Sequence, residues 1–168
     1  MLMAPVILIV DDQPSVLEMM HAFFTGKSYR VLKADSGPAA LALMAHETVD
    51  VVISDERMPG MAGTELLARV RQQYPDTIRI VVTGHADLDT ALRAINEGEI
   101  FRFFTKPCNM VDLAVTIRHG LEKRALEKEN RRLAAIVKRQ MATIKTLESQ
   151  CPGIFSVKRD PDGAVIIE

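Results

Sequence analysis

Apolar residues fall along the chain in short runs, and most runs stop at a polar side chain. Val6-Ile7-Leu8-Ile9-Val10 ends on Asp11-Asp12, Val51-Val52-Ile53-Ser54 on Asp55, and Ile78 to Val82 on Thr83; Ile100 to Thr105 meets Lys106-Pro107. Continuous apolar runs of this length read as strands buried on both faces. Tyr29 to Ala34 is read as another strand. Between the runs the apolar spacing becomes helical. Val16, Met20, Phe23 and Phe24 mark a first helix, Leu41 and Met44 a second, Leu66, Leu67 and Val70 a third, and Leu88, Ala91, Leu92 and Ile95 a fourth. Asp12 is expected to cap the first helix, with Pro14 in its first turn and Gly26 at its end. Ser36 and Pro38 open the second, Gly63-Thr64 opens the third, and Gly98 closes the fourth. Asn109 is expected to cap a fifth, with Asp112 completing a weak capping box. Five strands alternating with five helices through short connections predict an α/β fold with a parallel sheet and right-handed crossovers. Periodicity leaves the spatial order of the strands open.

The fifth helix has no evident stop. Gly120 weakens it by about 1 kcal/mol, which a long helix tolerates, and no breaker follows until Pro152. Leu126, Leu133, Gln140 and Leu147 fall seven apart, and Asn130, Val137 and Ile144 take the complementary seam positions. This predicts a coiled coil of about four heptads, with Asn130 fixing register in a parallel homodimer. Ile136 and Met141 widen the stripe, so a larger bundle stays open. Beyond it, Phe155 to Arg159 and Ala164 to Ile167 flank Asp160-Pro161-Asp162-Gly163, the pattern of a β-hairpin. The expected organisation is an α/β domain over 1–120, a coiled-coil helix over 121–150 and a hairpin tail over 151–168.

Composition adds a division of charge. The 168 residues carry a net charge of −1, which argues against bulk attraction to nucleic acid. Yet Leu121 to Glu148 holds eight Lys/Arg against four Glu, so the preceding part is acidic overall. The excess is modest and no DNA-reading element accompanies it, so DNA binding is not expected. Cys108 and Cys151 lack metal-ligand spacing and are read as reduced thiols of a cytoplasmic protein. The apolar start has no basic n-region and is too short to span a bilayer; no membrane association is expected.

In a parallel sheet the carboxyl ends of all strands share one edge, where ligands collect in open α/β folds. Asp11, Asp12, Asp55, Thr83 and Lys106 are thereby brought to one crevice. Three carboxylates in a small site require a counter-charge, and a hard divalent cation such as Mg²⁺ supplies it while leaving positions for a phosphoryl group. A carboxylate beside that cation can attack a phosphoryl group and become an acyl phosphate.

These residues carry a resemblance. Asp11-Asp12, Asp55 with Met58-Pro59-Gly60, Thr83-Gly84 and Lys106-Pro107, in order and each at a strand end, resemble the receiver domain of two-component response regulators over roughly residues 5 to 120. The resemblance implies a flavodoxin-like sheet of order 2-1-3-4-5 with helices on both faces. It implies Asp55 as phosphoacceptor, with Asp12, Asp55 and the Arg57 backbone carbonyl as ligands of Mg²⁺ (or Mn²⁺), and Asp11 acting on the metal through water. It implies that Lys106 and Thr83 hold the phosphoryl oxygens, that Phe103 changes rotamer with Thr83, and that the Lys106–Pro107 bond is cis. Phe103 departs from the commoner tyrosine, so no hydroxyl reports its burial. Arg57 and His85, two positions beyond Asp55 and Thr83, are expected to tune the lifetime of the phosphorylated state.

The expected function is a signalling switch rather than an enzyme with turnover. A sensor histidine kinase or histidine phosphotransfer protein phosphorylates Asp55, and the fifth helix and coil carry the change to a downstream protein or to the oligomeric state. A phosphorelay intermediate or phosphate sink is the alternative. An aspartate-nucleophile phosphatase would want a second Asp where Arg57 stands. A flavin protein would want a Ser/Thr/Gly-rich loop where Asp11-Asp12-Gln13-Pro14 stands.

Overall fold

The computed structural model describes residues 4–84, 89, 92, 93, 95 and 100–151. Most of the expected fourth helix, His85 and the expected hairpin lie outside the described residues. The rest forms β1 (Val6–Val10), α1 (Pro14–Thr25), β2 (Arg30–Ala34), α2 (Gly37–Met44), β3 (Val51–Asp55), α3 (Gly63–Gln73), β4 (Ile78–Thr83), β5 (Arg102–Thr105) and a long helix, α4 (Met110–Gln150). All strand pairs are parallel, in the order β2-β1-β3-β4-β5. This is the flavodoxin-like arrangement.

Alternation along the strands divides the core in two. Val6, Leu8, Val10, Val52 and Val81 face a cluster completed by Ala40 and Met44 of α2 and Leu66, Leu67 and Val70 of α3. Ile7, Ile9, Val51, Ile53 and Ile80 face the other cluster, completed by Leu17, Met20 and Phe24 of α1 and Leu113 and Ile117 of α4. With helices on both faces, the interior strands β1 and β3 have no wet side and are buried along their whole length, whereas the edge strands β2 and β5 carry the exposed Arg30, Lys33 and Arg102. Leu113 and Ile117 are fully buried, each contributing about 1.5–3 kcal/mol of transfer free energy. They hold the start of α4 on the sheet.

The helix ends show where local chemistry departs from expectation. Asp12 does not cap α1. The capping position is Gln13, with extended backbone and no side-chain capping bond. The helix starts at Pro14, so Asp12 lies one residue before the capping position, and the Gln13 carbonyl accepts from Val16 and Leu17 N–H. The neighbouring Asp11 instead accepts from Gln13 N–H at 2.9 Å. Gly26 follows α1 in a right-handed conformation (φ −69°), and the left-handed residue of that turn is Ser28 (φ 64°). Asn109 does cap α4: its Oδ1 accepts from Val111 and Asp112 N–H.

The chain divides into two compact units, 1–124 and 125–168. Near the end of the first, a Cβ on Gly120 would lie 3.1 Å from Ile78 and 3.3 Å from Phe101, so a larger residue there would require those side chains to give by a few tenths of an ångström. Arg124 donates to the Asp50 carboxylate at 2.5 Å and to the Asp50 and Asp76 carbonyls at 3.3 Å. Asp50 also accepts from Val6 N–H. In the second unit α4 continues to Gln150, and Leu126, Leu133, Val137, Met141, Ile144 and Leu147 are all exposed. No helix among the described residues is long and apolar enough to cross a membrane.

Candidate functional site

The site begins where β3 stops. Asp55 is its last residue, and Arg57 N–H donates to Asp55 Oδ2 at 3.0 Å. Lys106, one residue past β5, places Nζ 2.5 Å from Asp55 Oδ1 and 3.6 Å from Asp11 Oδ2. Its N–H is held by the Thr83 carbonyl at 2.9 Å, and the Lys106–Pro107 peptide is cis. Asp11 and Asp55 are buried, with 3% and 6% of their surface exposed, so two anionic groups share one ammonium in a place with little water.

That balance appears in their protonation. Burial pushes the Asp11 carboxyl above the ordinary range; the Gln13 N–H and the Lys106 charge oppose the shift, and Asp55 and Asp12 add to it. Burial alone would lower the Lys106 ammonium, but the Asp55 hydrogen bond and the charges of Asp11 and Asp55 outweigh it, and its pKa is raised. A hard cation prefers carboxylate oxygens, and the site supplies those of Asp11 and Asp55. As they stand, no three His, Cys, Asp or Glu side chains among the described residues are gathered closely enough to hold a metal. Asp12 is exposed beside the pair.

Thr83 ends β4 fully buried, its hydroxyl donating to the Gly84 carbonyl at 3.1 Å. Phe103 of β5 is half-buried and pairs in register with Val81. It packs against the cluster under α2 and α3. A cavity of about 310 Å³ opens from the site between the start of α1 and the β5–α4 connection, lined by Asp11, Asp55, Lys106 and the apolar Val16, Met20 and Met110.

One contributor is not evident from strand-end reasoning. The seven residues 56–62 join β3 to α3, with Met58 and Met61 buried in the core and Gly60 in the left-handed region (φ 83°). Glu56, itself buried, closes this loop at its base. Its carboxylate accepts from Thr64 N–H at 2.8 Å and from Thr64 Oγ1 at 2.9 Å, and its carbonyl accepts from Gly63 N–H at 3.0 Å. A carboxylate at a helix N-terminus also meets the positive end of the dipole. The sequence held a signal: Met61-Ala62-Gly63 offers no capping side chain before α3, so a cap had to come from elsewhere.

Comparison with known proteins agrees with this geometry. Residues 7–118 match the response regulator receiver domain. The chain belongs to that family. The receiver is 35% identical over 142 residues to the transcriptional regulatory protein GlrR of Escherichia coli (strain K12), covering 84% of this chain and 32% of that protein. It is 30% identical over 144 residues to the hydrogenase transcriptional regulatory protein HoxA of Cupriavidus necator, covering 86% and 30%. The chain therefore spans about a third of the length of these curated relatives. Among solved structures, the signal receiver domain of an HD domain-containing protein from Pseudomonas fluorescens Pf-5 is 41% identical, with a TM-score of 0.69, covering 73% of this chain and 98% of that one.

Proposed function

We propose that this receiver is a phosphorylation switch in a two-component system, with Asp55 as phosphoacceptor. The observation that carries the reading is the pair of contacts on the Asp55 carboxylate. Lys106 and the Arg57 N–H fix its orientation, and the cavity leaves it an approach. A histidine kinase or phosphotransfer protein presents a phosphohistidine. An Asp55 oxygen attacks phosphorus, the P–N bond breaks, and the electron pair leaves with the imidazole. Asp12, Asp55 and the Arg57 carbonyl would hold Mg²⁺, with Asp11 acting through water. Bound there, the cation supplies charge stabilisation for the phosphoryl oxygens. Lys106 holds one phosphoryl oxygen, and Thr83 turns its hydroxyl from the Gly84 carbonyl to donate to another. Phe103 follows into the space that Thr83 vacates. Arg57 and His85, two positions beyond Asp55 and Thr83 in the sequence, set how long the acyl phosphate survives.

The test is incubation of the full chain with phosphoramidate and Mg²⁺, followed by intact mass. The wild type is expected to gain one phosphoryl group and to lose it to hydroxylamine, and Asp55→Asn to gain none. Equal labelling of Asp55→Asn overturns the assignment.

For output, the exposed stripe of Leu126, Asn130, Leu133, Val137, Ile144 and Leu147 supports a parallel coiled-coil homodimer that presents its surface to a downstream protein. Half-exposed leucines at heptad spacing gain about 25 cal/mol per Å² when covered. Sedimentation equilibrium is expected to give twice the chain mass, and Leu133→Glu with Val137→Glu to return a monomer. A monomeric wild type at tens of micromolar overturns this part.

A further inference from the structure

We infer that Glu56 and Thr64 form a positioning clasp that sets the geometry of the metal ligands on the β3–α3 loop. The inference rests on the reading of Asp55 as phosphoacceptor and goes beyond it, because neither residue touches the reacting atoms.

The argument begins with the connection of Asp55 to α3. The helix packs directly against the backbone of the acceptor: a Cβ on Gly63 would lie 2.1 Å from the Asp55 carbonyl oxygen and 2.9 Å from its carbon. Glu56 N–H continues the ladder to the Val82 carbonyl of β4 at 3.0 Å. Glu56 is thus fixed to the sheet by its backbone and to α3 by its carboxylate, which takes both the N–H and the hydroxyl of Thr64. Arg57 follows immediately. Its N–H orients Asp55 Oδ2, and its carbonyl is the ligand proposed for Mg²⁺. Where the first residue of a loop is held at three points, the peptide that follows has little freedom. Removing the clasp loosens Glu56 and the peptide after it, so the Arg57 carbonyl, one peptide further along, must be ordered when the cation binds. Outer contacts that orient metal ligands typically contribute 10- to 100-fold in affinity.

The clasp is also unequal in its parts. Met58 and Met61 hold the middle of the loop in the core, so the loop does not unfold without Glu56. What is lost is the precision of its first peptide.

The experiment uses the full chain and phosphoramidate, with the Asp55 phosphorylation rate followed over a range of Mg²⁺ concentrations. Thr64→Val and Glu56→Ala are expected to raise the half-saturating Mg²⁺ concentration about tenfold, with the rate at saturating Mg²⁺ within about twofold of wild type. Thr64→Ser, which keeps the hydroxyl, is expected to match wild type. Independently of activity, amide hydrogen exchange at residues 57–62 of the metal-free protein is expected to quicken in Thr64→Val and not in Thr64→Ser. An unaltered Mg²⁺ dependence with unaltered exchange in folded Thr64→Val overturns the clasp. A fall in maximal rate with unchanged half-saturation also overturns it. If wild type takes up no phosphoryl group, the reading of Asp55 fails instead, and the exchange arm still decides whether the clasp orders the loop.

Discussion

Gly63→Ala is expected to destabilise the receiver by about 3 kcal/mol or more, at the upper end of the cost of overpacking. A methyl group there would enter the Asp55 carbonyl at 2.1 Å. Backbone in a strand paired to both β1 and β4 has nowhere to retreat, so α3 must lift as a unit. Against a domain stability of roughly 5–15 kcal/mol the loss is severe. The control is Gly37→Ala. A Cβ on Gly37 would meet the Met61 sulfur at 2.5 Å, but a thioether at the end of a flexible side chain can swing away. Urea unfolding of the two variants is the measurement. Equal midpoints would show that α3 does not press on the acceptor strand.

Lys106→Met is expected to separate two properties that a structural lysine would move together. The phosphorylation rate at saturating Mg²⁺ should fall about 100-fold, because a positioned cation facing developing phosphoryl charge has been removed. The half-saturating Mg²⁺ concentration should fall rather than rise. Asp11 and Asp55, both buried, lose the ammonium that lies 3.6 Å and 2.5 Å from them, and a divalent ion becomes the remaining way to balance their charge. A rate unchanged in Lys106→Met would remove the lysine from the chemistry. Weaker Mg²⁺ dependence together with a lower melting temperature would make it a structural ion pair.

The sequence carried the sheet and its edge unusually well, for a physical reason. Strands covered on both faces must be apolar throughout, so a carboxylate or hydroxyl at the end of such a run marks where the sheet meets solvent. Asp11, Asp55, Thr83 and Lys106 were legible for that reason, and the resemblance supplied the strand order that periodicity could not. The helix termini were less legible. Asp12 looked like a cap, but the helix starts at Pro14 and the capping position falls on Gln13, while the adjacent Asp11 takes the Gln13 N–H. Glu56 was invisible to capping rules because it lies eight residues before Thr64, across a loop rather than within one turn. Arg124 was hidden in a run of charges: nothing in its neighbourhood distinguishes it from Lys123 or Lys128 until the fold brings Asp50 beside it.

That last contact bears on where the domain ends. The family match stops at residue 118, yet Gly120 still packs on Ile78 and Phe101, and Arg124 still holds the carboxylate and carbonyl of Asp50. An excised receiver cut at the family boundary would keep every residue of the phosphoryl site. It would lose the last turn that fastens α4 beneath β3 and leave Asp50, half-buried, without its guanidinium. The unit that folds is longer than the unit that is recognised.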